Sequence, residues 1–184
     1  MSNITLAKKL LRSKMRESIS RLSEYDKQCE SEQMIQLIVE FTNSNPNIKI
    51  VASYAATKNE LNLDLLPASL PKIQFCYPKC EPNGIMQFHI VDKLSGMLPR
   101  TMGIREPDPK LHQQITADSI DLFICPAFAY SEDGKRLGKG GGYYDRYLCN
   151  KRIDAMTLGI VFKCQKITHH IPTEEHDLLI DRIL

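Results

Sequence analysis

The chain has 184 residues, which matches one domain and is too short for two ordinary domains with separate cores. Its 42% apolar residues exclude a disordered, collagen-like or coiled-coil protein. The net charge of +2 is too small for a protein that neutralises many nucleic-acid phosphates, so any anion site must be local. Since no apolar run resembles a membrane span or a secretion signal, we expect a cytoplasmic protein whose six cysteines are free thiols.

Two helices are predicted at the start of the chain. Between residues 5 and 22, apolar side chains recur at three- and four-residue steps and fall on one stripe, as in an amphipathic helix. Ser23 and Asp26 form a capping pattern for a second helix, which continues to the polar break at 43–46.

Beyond that break the pattern changes to short strands. Strands are predicted at 48–54, 73–77 (ending at Pro78), 86–91, 121–125 and 157–162, with a helix at 61–70. The last two strands are almost wholly apolar, as in parallel strands that are covered on both faces. This order predicts an α/β fold, a single-domain three-layer α/β/α sandwich with a mostly parallel central sheet, whose ligands collect outside the carboxyl ends of the strands.

A glycine-rich loop follows the strand at 121–125. Four of the nine glycines lie between residues 138 and 142, and Arg136 and Lys139 add positive charge. Because glycine has no Cβ, such a backbone can approach a phosphate closely and donate its N–H groups, and a helix predicted at 143–151 would add its dipole. The spacing fits neither the P-loop nor GxGxxG. The loop is therefore an unusual anion site or, alternatively, a mobile loop with solvated basic residues.

Lys8 is the second unusual feature. At about 100° per residue it falls on the apolar stripe of the first helix, with Arg12 at the edge of that stripe. The helix dipole disfavours a cation in the first turn, so an inward-facing lysine indicates a bound anion. The alternative is a lysine whose stem lies along apolar surface while its ammonium reaches water.

The residues together match a known family. The stretch 136–145, RLGKGGGYYD, resembles the glycine loop of the 5-formyltetrahydrofolate cyclo-ligases, also called 5,10-methenyltetrahydrofolate synthetases. The resemblance covers nearly the whole chain, and the other matching positions are Lys8-x-x-Leu11-Arg12, Glu60, Pro78, Gly103-Ile104-x-Glu106-Pro107 and His176-Asp177. It implies conversion of ATP and 5-formyltetrahydrofolate to ADP, phosphate and 5,10-methenyltetrahydrofolate, with Mg²⁺ as cofactor.

The resemblance also implies residue roles. Lys8 and Arg136 would act in catalysis, and Asp145 and Asp177 would bind Mg²⁺. Folate would contact Ala55, Glu60, Lys139, Gly140, Gly141, Gly142 and Tyr143. ATP would contact Lys8, Lys9, Leu10, Leu11, Arg12, Arg136, Leu137, Gly138, Lys139, Gly140, Gly141, Gly142, Tyr143 and Tyr144. Some members carry a basic residue where this chain has Gly141, so no side-chain contact is expected from that position.

Several alternatives remain at this point. Without the family, Asp145 reads as a carboxylate at a helix start, Asp177 as a turn residue and Glu60 as a surface glutamate. Met86 and Phe88 would either line a pterin pocket or pack in the core. The rival function is a non-catalytic relative that binds a nucleotide or RNA. The preferred partners are small-molecule substrates, with no nucleic acid and no membrane, and the expected state is a monomer.

Overall fold

A computed structural model describes residues 3–99, 103–167, 170–174 and 177–184. Its helices are α1 (Asn3–Ser20), α2 (Glu24–Asn43), α3 (Leu66–Ser69) and α4 (Tyr143–Leu148). Its strands, in chain order, are β1 (Ile50–Ala52), β2 (Gln74–Glu81), β3 (Ile85–Ile90), β4 (Leu98–Pro99), β5 (Arg105–Glu106), β6 (Gln114–Ile115), β7 (Leu122–Pro126), β8 (Ala129–Ser131), β9 (Arg136–Leu137), β10 (Met156–Ile160), β11 (Lys166–Ile167) and β12 (Arg182–Ile183).

Seven strands form the main sheet, in the order β12-β10-β7-β1-β2-β3-β6. The pairs from β12 to β2 are parallel, and β3 and β6 continue the sheet in antiparallel pairing. The mostly parallel sheet predicted from the sequence is confirmed. Strands β11, β8 and β9 form a smaller sheet, and β4 pairs with β5.

Each central strand divides its side chains between two cores. In β7, Leu122 and Ile124 belong to the cluster that includes α2, while Phe123 and Cys125 belong to a second cluster that includes Leu148 of α4. Strand β1 alternates in the same way. Successive side chains of a strand point to opposite faces, so the sheet is covered on both sides, as its apolar runs predicted.

The predicted start of the second helix is confirmed. Ser23 is the N-cap of α2 and its Oγ accepts a hydrogen bond from Asp26 N at 3.1 Å, while Asp26 Oδ2 accepts one from Ser23 N at 3.2 Å. This reciprocal capping box satisfies two N–H groups that a helix start leaves without partners.

The helix predicted at 61–70 is wrong, because only the single turn α3 forms there. Asn62 N donates to Ser31 Oγ and Asp64 N donates to Asn62 Oδ1, both at 2.9 Å. Asn62 Oδ1 thus takes the N–H of Asp64, which in a helix from residue 61 would bond to the carbonyl of residue 60, and Pro67 has no N–H to bond to the carbonyl of residue 63.

The predicted end of the second strand at Pro78 is also wrong, because β2 continues to Glu81. Cys76 O accepts a hydrogen bond from Ser53 N on the β1 side of β2. Backbone groups alternate along a strand, so the backbone nitrogen of Pro78, two residues later, also faces the β1 side. Strand β1 has already ended there, and the missing N–H of Pro78 therefore breaks no strand pairing.

Gly159 gives a first test of this packing. An added Cβ at that residue would lie 2.7 Å from the ring of Tyr130, whose hydroxyl donates to Cys125 O at 2.7 Å. Overpacking of this kind costs about 1–3 kcal/mol, so we expect Gly159→Ala to lower the free energy of unfolding by that amount in chemical denaturation. Gly96→Ala, whose Cβ would meet only the His112 imidazole at 3.3 Å, is the control. Equal stability of the two variants would contradict this packing.

Candidate active site

A cavity of about 970 Å³ lies at the carboxyl ends of β1, β2 and β7. The chain extends the sheet from β1 to β2 on one side, and from β7 to β10 and β12 on the other. The cavity is therefore at the point where the strand order reverses, which is where open α/β sheets bind ligands. This is the position expected from the sequence.

Lys8 forms part of the α1 wall of this cavity. The residue is only 7% exposed, and its Nζ lies 2.8 Å from Glu174 Oε2 and 2.6 Å from Asp177 Oδ2. Burial alone would lower the pKa of Lys8, but the hydrogen bonds and charges of the two carboxylates raise it overall. The predicted inward position of Lys8 is confirmed. Its ammonium is a positive charge inside the cavity.

Arg12, one helical turn further along α1, ties the helix to the glycine loop. Its Nε donates to Gly138 O at 2.8 Å. Burial and the nearby Arg16 lower the pKa of Arg12, which still leaves the guanidinium charged at neutral pH. The side chain therefore contributes a second cation and fixes the start of the loop.

Arg136 is the third cation and the most buried of them. Strand β9 pairs it with Tyr130 of β8, and its Nη2 lies 2.7 Å from Asp145 Oδ1. Its Cζ lies 5.4 Å from the centroid of the Tyr144 ring. Burial alone would lower the pKa of Arg136, but Tyr130 and Asp145 raise it overall. The guanidinium is thus a fixed positive charge beneath the glycine loop.

The glycine loop itself, residues 138–142, closes over these cations. Gly140 has φ +101°, a conformation that side-chain-bearing residues rarely adopt, and a Cβ there would lie 3.5 Å from Arg12. At Gly141 a Cβ would lie 2.7 Å from the Tyr143 ring, so a larger residue would displace that ring. The following helix α4 has only six residues, ending at Leu148 and not at 151 as predicted.

Glu60 is on the β1 side of the cavity. Its side chain is 7% exposed, and its Oε1 lies 2.7 Å from Lys139 Nζ. Its Oε2 accepts from Thr57 N at 2.9 Å and from Thr57 Oγ1 at 2.7 Å. The surface-glutamate alternative is therefore wrong. Ala55 lies on the same wall and is also buried.

Asp145 and Asp177, 32 positions apart in sequence, are neighbours in the fold. Asp145 Oδ1 is 3.4 Å from the N–H of Leu178, the residue that follows Asp177. Each carboxylate also pairs with a buried cation, Arg136 in one case and Lys8 in the other. Among the described residues, no group of three or more His, Cys, Asp or Glu is arranged to hold a metal. Asp145 and Asp177 thus do not make a metal site by themselves, and other oxygens would have to complete a magnesium site.

Some residues of the predicted site lie away from the cavity. Lys9 and Leu10 are exposed on α1 and do not line it. Leu11 packs against the cluster that includes Leu137 of β9, so it holds α1 in place. Met86 lines the cavity whereas Phe88 is fully buried in the core, and His176 lies outside the described residues. The remaining predicted site residues all line the cavity.

Two residues that the sequence reasoning missed hold the site together. Glu174 binds Lys8, and its N–H donates to Asp177 Oδ2 at 2.7 Å. Thr57 donates twice to Glu60. Thr57 could have been found from the sequence, because Thr-x-x-Glu is the spacing of a reciprocal hydrogen-bonded turn. Nothing in the spacing of Glu174 points to a residue 166 positions earlier.

Known proteins of one family resemble this chain along its length. The model of the 5-formyltetrahydrofolate cyclo-ligase family matches residues 4–184. The 5-formyltetrahydrofolate cyclo-ligase of Mus musculus is 24% identical over 98% of this chain and 94% of its own length. That of Mycoplasma pneumoniae is 29% identical over 90% of this chain and 88% of its own.

Solved structures agree with this assignment. A 5,10-methenyltetrahydrofolate synthetase from Mycoplasma pneumoniae superposes with a TM-score of 0.79 at 26% identity, covering 96% of each chain. The synthetase from Aquifex aeolicus gives 0.80 at 25% identity, covering 96% of this chain and 88% of its own. The predicted fold class is confirmed, and the chain belongs to the 5-formyltetrahydrofolate cyclo-ligase family of enzymes.

Proposed function

We propose that this enzyme converts 5-formyltetrahydrofolate and ATP to 5,10-methenyltetrahydrofolate, ADP and phosphate, with Mg²⁺ as cofactor. The observation that carries the proposal is the meeting of three cations, a glycine loop and two adjacent carboxylates in one cavity, with a buried glutamate on its β1 wall. This set suits a phosphoryl transfer between a nucleotide and a second small molecule.

The chemistry explains why ATP is needed. A formamide carbonyl is a poor electrophile, and its oxygen is a poor leaving group. We propose that the γ-phosphoryl group is transferred to the formyl oxygen, after which folate N10 attacks the activated carbon. The C–O bond then breaks, and the oxygen departs as part of phosphate together with the N10 proton. No protein nucleophile takes part, so catalysis depends on positioning and on charge stabilisation around the moving phosphoryl group.

We place the ATP phosphates at the glycine loop. Lys8, Arg12 and Arg136 supply positive charge, and the N–H groups of residues 138–144 supply hydrogen-bond donors. Because α4 is so short, the loop N–H groups matter more here than a helix dipole. We do not include Lys9 and Leu10 among the ATP-binding residues, because their side chains are exposed outside the cavity.

We place folate against the wall formed by Ala55 and Glu60 and by the loop from Lys139 to Tyr143. A carboxylate that is 7% exposed can accept hydrogen bonds from pterin N–H groups with little competition from water. Lys139, which is half-exposed, would release its ion pair with Glu60 so that Glu60 can accept hydrogen bonds from the pterin.

Asp145 and Asp177 fit a magnesium ion that arrives with ATP. Mg²⁺ prefers hard oxygen ligands and is usually held by one or two carboxylates together with waters and substrate phosphates. When bound, the ion would neutralise phosphate charge. The two carboxylates would hold it beside Lys8 and Arg136, so positive charge would surround the phosphates.

We also propose that the enzyme acts as a monomer in the cytoplasm. A single chain supplies every side chain of the site described above. The six cysteines are free thiols, which suits a reducing compartment, and no helix within the described ranges is long and apolar enough to cross a membrane.

The function is tested by mixing the protein with Mg-ATP and 5-formyltetrahydrofolate. We expect the absorbance of the methenyl product to rise with an equimolar release of ADP, and neither to occur when one substrate is omitted. Binding of ATP without product, under conditions where a relative from the family is active, would contradict the proposal.

Replacing Gly140 tests the placement of the phosphates. Alanine at φ +101° is strained, by about 1–3 kcal/mol, and its Cβ would enter the loop where N–H groups face the anion. We expect Gly140→Ala to weaken ATP binding about tenfold or more and folate binding less, in titration calorimetry. Gly103→Ala is the control, because Gly103 has φ +73° with open space around its Cβ position. Equal losses for both ligands would argue against phosphate contact.

Replacing Asp177 tests the magnesium site. We expect Asp177→Asn to raise the Mg²⁺ concentration that gives half-maximal rate by about tenfold, since one ligand charge is lost. Asp177→Asn combined with Asp145→Asn should cost much less than the sum of the single changes, because both groups serve one ion. Asp154→Asn, at an exposed carboxylate paired with Arg152, is the control. An unchanged Mg²⁺ dependence in the Asp177 variant would remove this residue from the site.

A further inference from the structure

Arg146 lies on the exposed side of α4 and is not among the residues that line the cavity, yet it contacts two of the cavity's walls. Its Nε donates to Gly84 O at 3.2 Å, and its Nη2 donates to Gly141 O. Its Cζ lies 5.8 Å from the centroid of the Tyr143 ring. One guanidinium thus bridges the glycine loop and the turn at Pro82–Gly84 between β2 and β3.

The backbone on both sides leaves space for this guanidinium. A Cβ on Gly84 would lie 1.8 Å from Arg146 Nη2, and a Cβ on Gly142 would lie 2.6 Å from Arg146 Nη1. Gly84 has φ +77°, a conformation in which glycine is favoured. The turn and the loop are therefore both shaped around one side chain.

The two joined segments form different walls of the cavity. Strands β2 and β3 contribute Lys79, Cys80 and Met86 to the cavity wall, whereas Gly141 belongs to the loop that we assign to the phosphates. A second tie runs beside the first, because Tyr143 Oη donates to Glu81 O at 3.1 Å. The distance between the two walls therefore depends on α4 and its side chains.

We propose that Arg146 is a positioning residue that fixes the glycine loop against the β2–β3 turn and so sets the width of the cavity in which both substrates bind. The proposal rests on the proposed function. A planar guanidinium can donate to two carbonyls in different directions while its face lies over a ring. A lysine ammonium is a compact charge on a flexible stem, so it cannot hold both carbonyls in this way.

The first experiment compares Arg146→Lys with Arg152→Lys. Arg152 makes contacts of the same kind, to Asp121 Oδ1 at 2.7 Å and Asp118 O at 3.1 Å, but it does not line or bridge the cavity. We expect kcat/KM for both Mg-ATP and 5-formyltetrahydrofolate to fall about tenfold or more in Arg146→Lys, because small displacements of a reacting group are costly. Since Arg146 is exposed, the denaturation midpoint of the Arg146→Lys variant should stay close to that of the wild type. Arg152→Lys should keep both kcat/KM values.

The second measurement needs no substrate. Amide hydrogen exchange should become faster in both segments, 82–85 and 138–142, when Arg146 is changed to Lys, and in neither when Arg152 is changed. Gly84→Ala, which would displace the guanidinium and also strain the turn, should accelerate exchange in both segments, and adding it to Arg146→Lys should cause little further change in 138–142.

The outcomes separate this inference from the proposed function. If the wild type is active and Arg146→Lys changes neither kcat/KM nor the exchange of both segments, the positioning role is wrong and the function stands. If the wild type makes no methenyl product, the function is wrong, while coupled exchange of the two segments would still support the bridge. Faster exchange in one segment alone would overturn the bridge.

Discussion

Lys8→Met is expected to lower kcat/KM for Mg-ATP by about 100-fold or more, the usual effect of removing one group that stabilises charge in a transition state. The ammonium is buried in the cavity wall and is charged, and its neighbours Glu174 and Asp177 hold it in place. Methionine keeps most of the volume of the stem but supplies no charge to a phosphate. Steady-state kinetics with ATP as the varied substrate measures the change.

The control for this change is Lys14→Met, at an exposed lysine on the same helix. We expect it to keep the wild-type rate. The loss of the Lys8 ion pairs leaves two carboxylates side by side without their cation, so the free energy of unfolding should fall by about 1–3 kcal/mol, less than at Arg136 because the Glu174 side chain is 35% exposed. If turnover and ATP affinity were unchanged, Lys8 would be a structural partner of these carboxylates and no part of the ATP site.

Arg136→Met is expected to cost about 3–5 kcal/mol of stability, since it leaves the carboxylate of Asp145 without its buried partner. It should also abolish measurable turnover, because the most buried of the three cations is lost. Chemical denaturation gives the first quantity, and the rise of methenyl absorbance gives the second.

The double variant Arg136→Met with Asp145→Leu separates the two effects. Apolar residues that replace both partners of a buried ion pair often restore stability. We therefore expect most of the lost stability to return while turnover remains absent. Recovery of turnover in the double variant would show that the pair is structural only, and it would remove Arg136 and Asp145 from the reaction.

The fold could be predicted where local chemistry decides the structure. The capping box of Ser23 and Asp26 needs four consecutive residues, and the two apolar runs at β7 and β10 need only their own alternation between two covered faces. The segment 61–70 could not be predicted, because Ser31 on another helix holds the N–H of Asn62 from outside the segment, a contact that no pattern within the segment shows. Pro78 was misleading for a similar reason, since its tolerance depends on where a neighbouring strand ends.

The same division applies to the site. The inward position of Lys8 follows from helical periodicity, and the loop at 138–142 is visible from its glycines. The partner of Lys8 at Glu174 and the approach of Asp145 to Leu178 depend on how distant segments meet, and a single sequence does not encode that as a local pattern. The ion pair of Glu60 with Lys139 is of the same kind, whereas the contacts of Glu60 with Thr57 are local.

The transfer of phosphate to the formyl oxygen is tested most directly by following that oxygen. The wild-type enzyme is supplied with Mg-ATP and with 5-formyltetrahydrofolate whose formyl group carries ¹⁸O, and the inorganic phosphate released is examined by mass spectrometry or ³¹P NMR. We predict that one ¹⁸O atom enters the phosphate for each methenyl product formed, and that none reaches the solvent. Unlabelled phosphate, with the label lost to water, would contradict this mechanism.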